Sequence, residues 1–162
     1  MLRFISTTAV LLLLTACGWH LRGVTPLPAE YKVMYVEGQQ TTNLYVQLVR
    51  QLEFNNVLVT STLEDAPVVM RLEEYEIEKR TLAVDTNGRV SEYEMNGLLL
   101  VTVERLLSGE KIELEVTSRR TLTNDINNVV ATQAEETNVR NQIDSDLINK
   151  LLRRLQSLNN ES

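Results

Sequence analysis

The stretch whose residue types and spacing can do chemistry is Leu14-Thr15-Ala16-Cys17. An apolar residue, two small ones and then a cysteine form a lipobox. The thiol takes a diacylglycerol thioether, and the small side chains before it leave the peptide bond open to a peptidase. Cleavage ahead of Cys17 would make its amine the N-terminus, ready to be acylated in turn, and several acyl chains hold a protein on a membrane where one chain is marginal. Upstream, Met1-Leu2-Arg3 supplies a basic start and Thr8-Ala9-Val10-Leu11-Leu12-Leu13-Leu14 an apolar run, the order of parts in a secretory signal peptide. The run falls short of the ~20 apolar residues that cross a bilayer, so residues 1–16 are expected to be a removable signal and not a membrane helix. Cys17 is the only cysteine, which rules out an intramolecular disulfide, and lipidation accounts for a lone thiol in an exported chain. Gly18 stands where an aspartate would favour inner-membrane retention, so the outer membrane of a Gram-negative cell is the expected location.

Other chemistry is hard to assemble. The only histidine, His20, has no neighbouring ligand for a metal and no acid–base partner in sequence. No Gly-x-Ser-x-Gly elbow, phosphate loop, dinucleotide fingerprint or Cys/His metal spacing occurs. The acidic pairs Glu73-Glu74 and Glu135-Glu136 read as solvated faces. No enzyme activity, cofactor or metal is therefore expected, although a carboxylate pair drawn from distant residues is a possibility that sequence leaves open. The formal charge is −6, and −7 once Arg3 leaves with the signal. That argues against nucleic acid as a partner, which needs a basic face for phosphates, and against attachment by a polybasic patch. Attachment has to come from lipid or from another protein.

The remaining 146 residues suit one domain with a sizeable core. Residues 17–30, with Gly18, Gly23, Pro26 and Pro28, read as an extended tether, in which Trp19 suits either the headgroup level of a membrane or packing on the domain or a partner. Residues 31–162 read as a single α+β domain. Lys32 to Val36 has strand composition. Leu44, Leu48 and Leu52, with Tyr45 and Val49 beside them, recur at helical spacing, capped by Thr42 or Asn43 and ended by Asn55-Asn56. Val57 to Val59 is another short extended run, and whether either short run joins the main sheet is open.

Three longer strands follow. Val68, Met70 and Leu72 alternate with polar residues, and the apolar phase then shifts to Tyr75 and Ile77, which predicts a bulge. Asn87-Gly88 predicts a hairpin. Tyr93, Met95, Leu99, Val101 and Val103 share one face of the returning strand, and Ile112, Leu114, Val116, Ser118 and Leu122 share one face of the next. Leu98 and Leu100 interrupt the opposite, polar face, as though something covers it. Residues 124–131 read as a loop. From about Thr132 to Leu158 a long helix carries Val139, Ile143, Leu147, Leu151, Leu155 and Leu158 in one stripe, widened by Ile148 and Leu152. Its other side is charged, with Arg140, Asp144, Asp146, Lys150, Arg153 and Arg154. The expected fold is α+β: a mostly antiparallel sheet, a meander of long strands, with two helices packed on its apolar face.

The run that follows the lipobox, Cys17-Gly18-Trp19-His20-Leu21-Arg22, resembles the start of the LptE family of lipopolysaccharide-assembly lipoproteins, and length and order of elements continue the likeness through the mature chain. The resemblance implies a sheet with two helices packed on it. It also implies a partner, the outer-membrane β-barrel LptD, which the lipoprotein plugs and whose assembly it supports while assisting delivery of lipopolysaccharide to the outer leaflet. Under that reading the polar sheet face, including Glu92, Glu94, Glu104, Arg119 and Thr121, is the candidate contact with a polar barrel lumen. Arg80 and Arg89, flanking the Asn87-Gly88 turn, are candidate donors to lipopolysaccharide phosphates. The competing reading is a generic outer-membrane lipoprotein that binds a small hydrophobic ligand or a cell-wall fragment.

Overall fold

The computed structural model describes residues 27–125 and 128–158. Its elements run β1 (Val33–Glu37), α1 (Asn43–Phe54), β2 (Leu58–Thr60), β3 (Val68–Val84), β4 (Val90–Arg105), β5 (Glu110–Thr123) and α2 (Val129–Ser157), with single 3-10 turns at Ala29–Tyr31 and Leu63–Asp65. The five strands form one sheet in the order β2-β1-β3-β4-β5. The meander β3-β4-β5 is antiparallel, as expected. The two short early runs do join it: β1 lies parallel to β3, and β2 parallel to β1 beyond it. Parallel neighbours need a crossover connection, and α1 supplies it between β1 and β2.

The apolar periodicities land where sequence put them. Leu44, Leu48 and Leu52 of α1 are buried, as are Val139, Ile143, Leu147, Ile148, Leu151, Leu152 and Leu155 of α2. The long helix α2 lies over Met95, Leu99, Val101 and Val103 of β4 and Leu114, Val116 and Leu122 of β5, while α1 packs against α2 and β2, and all belong to one core. Each fully buried leucine or isoleucine contributes about 1.5–3 kcal/mol, so this face dominates the stability of the fold. Thr42 caps α1, its hydroxyl accepting from the Tyr45 amide. Asn55 ends the helix and Asn56 turns out at φ 62°.

The register of β3 against β4 slips between Leu72 and Glu74, the bulge implied by the phase change, and slips again around Ala83. The hairpin at Asn87-Gly88 forms, although not as a two-residue turn. Residues 85–89 make the loop, Asp85 Oδ1 accepts from the Asn87 and Arg89 amides, and only Gly88 takes a left-handed φ, 74°. A type I′ turn would need positive φ at both central residues.

Two expectations need correction. The long helix begins at Val129, not Thr132, because the Asn128 side chain accepts from the Ala131 amide and caps a start hidden in a turn-rich composition. Asp144, read as part of the solvated side of that helix, is buried at 3% exposure. Its carboxylate accepts from the Tyr75 hydroxyl of β3 at 2.6 Å and from Asn43 Nδ2 of α1 at 3.1 Å. One charged group thereby joins both helices to the sheet.

Candidate functional site

A pleated strand sends alternate side chains to opposite faces, so the strands that bury one face must present the other. On β4 the second face carries Glu92, Glu94, Asn96, Leu98, Leu100, Thr102 and Glu104. Opposite them β5 sets Thr123, Thr121, Arg119, Thr117, Glu115, Glu113 and Lys111 in unbroken register. Among the described residues no helix lies over this face.

Two stripes of charge cross it. At one end Arg71 of β3 bonds Glu104 of β4 and, at 2.8 Å, Glu37 of β1, while Lys111 of β5 approaches Glu104 at 3.6 Å. The chain of pairs runs Glu37, Arg71, Glu104, Lys111 over four strands. Toward the other end Glu94 receives Arg80 Nη2 of β3 at 2.9 Å, Arg119 Nε of β5 at 3.6 Å and the amide of Asn96 at 3.0 Å. The Asn96 bond first, then the two guanidiniums, holds the Glu94 carboxyl below its usual range. The bond from Arg71 does the same for Glu104. Both carboxylates stay ionised at neutral pH.

Between the stripes the character changes. Leu98 sits between Glu76 and Thr117, and Leu100 between Glu74 and Glu115. The two leucines are half-buried, and the glutamates around them are exposed. An open depression of about 460 Å³ lies beside Leu98, lined by Glu76, Arg80, Asn96, Thr117 and Arg119 and closed at the β5 edge by Lys150. Lys150 donates to the Thr117 carbonyl at 2.6 Å and pairs with Asp146 at 2.8 Å. Partial burial raises the Asp146 carboxyl, and the bonds from Lys150 and Ser118 overcome that and leave it lowered. This outer face can dock a surface that offers hydrogen-bonding groups at its ends and an apolar contact at its centre.

The residues singled out in the sequence divide accordingly. Glu94, Arg119 and Arg80 come together in one cluster, with Thr121 opposite Glu94. Glu92 lies one step beyond and Glu104 belongs to the other stripe. Arg89 does not join Arg80. It stands on the exposed hairpin loop, and its side chain has no partner among the described residues. At about 3.3 Å per residue the loop starts roughly 16 Å further along the strand from Arg80. Cys17, Gly18, Trp19, His20, Leu21 and Arg22 lie outside the described residues. Sequence reading passed over Arg71 and Glu37, which face each other only because β1 pairs β3. It also missed the bond between Tyr75 and Asp144, 69 residues apart. The one local hint was that Asp144 precedes Ile148 by a helical turn, on the flank that widens the stripe. Among the described residues no group of three or more His, Cys, Asp or Glu is placed to hold a metal.

Fold and face together define a class: a mixed sheet closed on one side by two helices, with a broad, charge-laddered second side left open. Comparison with known proteins gives the family. Residues 31–155 match the model of the LptE lipopolysaccharide-assembly family, and the chain belongs to that family. Among relatives, the LPS-assembly lipoprotein LptE of Pectobacterium atrosepticum is 29% identical over 152 residues, covering 91% of this chain and 81% of that protein. The protein of the same name from Photorhabdus laumondii is 26% identical over 92% and 82% of the two chains. Solved structures share the fold. Rare lipoprotein B of Shewanella oneidensis superposes with a TM-score of 0.70 at 22% identity, over 80% of this chain and 99% of that one. Lipoprotein B of Nitrosomonas europaea gives 0.72 at 21% identity, over 88% and 93%.

Proposed function

We propose that this chain is a lipid-anchored outer-membrane lipoprotein that plugs and supports the LptD β-barrel, and that its open sheet face meets the barrel lumen. Family membership supplies the process, lipopolysaccharide assembly. The observation that carries the contact is the outer face itself. Its two stripes pair charges across strands, while Glu74, Glu76, Glu92, Glu113 and Glu115 have no ion pair among the described residues, so the face is acidic and suits a polar lumen that supplies basic or hydrogen-bonding groups. Leu98 and Leu100 between the stripes then gain an apolar neighbour in place of water. The role is one of binding and assembly, not catalysis.

Cys17 carries the anchor in this reading, as a thioether-linked diacylglycerol with an acylated amine, and holds the domain at the membrane at high effective concentration near the barrel. Lipopolysaccharide phosphates call for charge-assisted donors. Of the two arginines expected to serve, Arg80 is already engaged by Glu94 and Glu78, which leaves Arg89 as the better donor. The competing ligand-binding reading gains little support, since the described depressions are open and charged.

Affinity purification of the lipidated protein from detergent-solubilised outer membranes tests the partner. A single stoichiometric, heat-modifiable barrel is the expected companion, and a lone monomer would remove the plug reading. For lipopolysaccharide, Arg89→Ala is expected to weaken binding and Arg80→Ala to change it little. A double variant that binds like the parent would remove the phosphate contact.

A further inference from the structure

Exposed apolar side chains gather at both ends of the sheet: Leu82, Val84 and Val130 lie toward the hairpin end, and a second group lies at the end where the chain enters the domain. Leu107 is 96% exposed and Leu106 43%, both in the turn joining β4 to β5. Leu58 is 63% exposed at the start of β2, and Leu63 is 42% exposed in the 3-10 turn before β3. Register and hydrogen bonds put them at one end of the sheet. Leu58 pairs with Val33 in the first row, and its amide donates to the Lys32 carbonyl at 2.7 Å. The Leu106 amide donates to the Pro67 carbonyl at 2.9 Å, four residues past Leu63. Single exposed leucines are ordinary, but several gathered at one end mark a contact.

The chain enters at that same end. Arg105, next to Leu106, donates to the Glu30 carboxylate at 2.6 Å and to the Tyr31 hydroxyl at 3.0 Å. Tyr31 is wholly buried, and Leu27, four residues earlier, is buried at 4% exposure. Leu27 lies ten positions after Cys17, a span of at most ~36 Å. The 16 residues of β4 run about 53 Å at 3.3 Å each. A tether shorter than the sheet keeps the Leu106-Leu107 end nearest to whatever holds Cys17, with the Asp85–Arg89 hairpin at the far end.

We propose that the turn bearing Leu106 and Leu107 beds into a zwitterionic lipid surface beside the anchored N-terminus, as a second, apolar point of membrane contact. This rests on the lipid-anchor reading of Cys17. Apolar side chains seated at the headgroup boundary add to the hold of an acyl anchor. The charges around the turn do not make a polybasic patch, although Lys32 at this end is exposed and has no ion pair among the described residues. Arg105 is occupied by Glu30 and Glu110, Lys111 approaches Glu104, and Glu64 and Asp65 sit in the turn before β3. An acidic rim disfavours anionic headgroups, so the contact should tolerate salt and weaken as anionic lipid is added. Two points of contact fix the tilt of the domain. They send the far hairpin, with Arg89, away from the anchoring leaflet.

Because lipid occupies the only cysteine, a cysteine placed by substitution can be labelled alone. Lipidated Leu107→Cys and Val130→Cys proteins, each carrying an environment-sensitive fluorophore, are incorporated into phosphatidylcholine vesicles and floated. Val130, 77% exposed, lies in the first turn of α2 at the opposite end. The label at 107 is expected to shift to the blue and to be quenched several-fold more by nitroxide-bearing phospholipid than the label at 130. Vesicles that float with both labels in water overturn the second contact and leave the anchor. A label at 107 that shifts only when outer-membrane protein is added also overturns it, since a protein then covers the turn. Protein that does not float removes anchor and contact together. Leu107 is almost fully exposed, so the substitution leaves folding undisturbed.

Discussion

The two faces of one sheet differ in how much each residue is constrained. On the helix-covered face packing is so close that Gly97 of β4 has no room for a side chain: a Cβ there would stand 2.3 Å from Ile143 Cγ2 and 3.2 Å from Leu147 Cδ1. On the open face, one pleat away, Asn96 and Leu98 keep part of their surface in solvent, and charged side chains reach across strands. The first face specifies the fold and tolerates little. The second can change its residues at small cost to folding, and its stripes and central apolar pair are what the proposed contact with a partner rests on.

Substitutions should separate the two faces by magnitude. Leu147→Ala, in the centre of the covered face, should cost about 2–5 kcal/mol, read as a lowered denaturant midpoint with the slope unchanged. Gly97→Ala should follow at about 1–3 kcal/mol, since Ile143 must move for the new methyl to fit. Gly97→Ala stability equal to the parent would contradict so close an approach of helix and sheet.

Asp144 comes next. Burial raises its carboxyl above the ordinary Asp range, against the pull of the Tyr75 and Asn43 hydrogen bonds and Arg140. The folded chain then holds this proton more tightly than the unfolded chain. The group gains stability as pH falls from the raised pKa toward the ordinary one. Glu94, Glu104, Glu136 and Asp146 work the other way, because their pKa values are lowered. Their contribution is lost as pH falls through the ordinary carboxylate range. In Asp144→Asn only the first effect is gone, so the variant should lose stability relative to the parent on acidification. Urea midpoints at neutral and acid pH measure it, and a constant gap between the two proteins would contradict the assignment. Asp144→Leu, which takes the acceptor from the Tyr75 hydroxyl and leaves the Asn43 amide with Asn141 alone, should cost about 1–3 kcal/mol at neutral pH.

The smallest effect on folding belongs to the open face. Glu104→Gln and Leu100→Ala should lower the unfolding midpoint less than the covered-face variants do, because the Arg71–Glu104 pair is only partly buried and Leu100 is only half-covered. Any large loss in these variants should appear instead in association with the barrel.

The same contrast explains what sequence could convey. Covered-face residues repeat with strand or helix period, so the stripe from Val139 to Leu155, the alternation from Tyr93 to Val103 and the bulge after Leu72 were all legible. β1 and β2 showed their strand character but not their place in the sheet, since five and three residues are too few to show a period and their parallel pairing depends on α1 crossing over. The stripe from Glu37 to Lys111 depends on that pairing in turn. Asp144 joins Asn43 and Tyr75 across 101 and 69 residues, which no local pattern reveals. Gly18 to Arg22 suggested the family through a motif that precedes residues 31–155, the segment that matches it.

Photocrosslinking from position 100 in intact cells tests the central claim most directly, with Leu100 replaced by a benzophenone amino acid in the lipidated protein. The account predicts an adduct with the large heat-modifiable LptD barrel. Cells in which the protein is folded and membrane-bound, yet position 100 yields no barrel adduct, would contradict the open sheet face as the surface that meets the lumen.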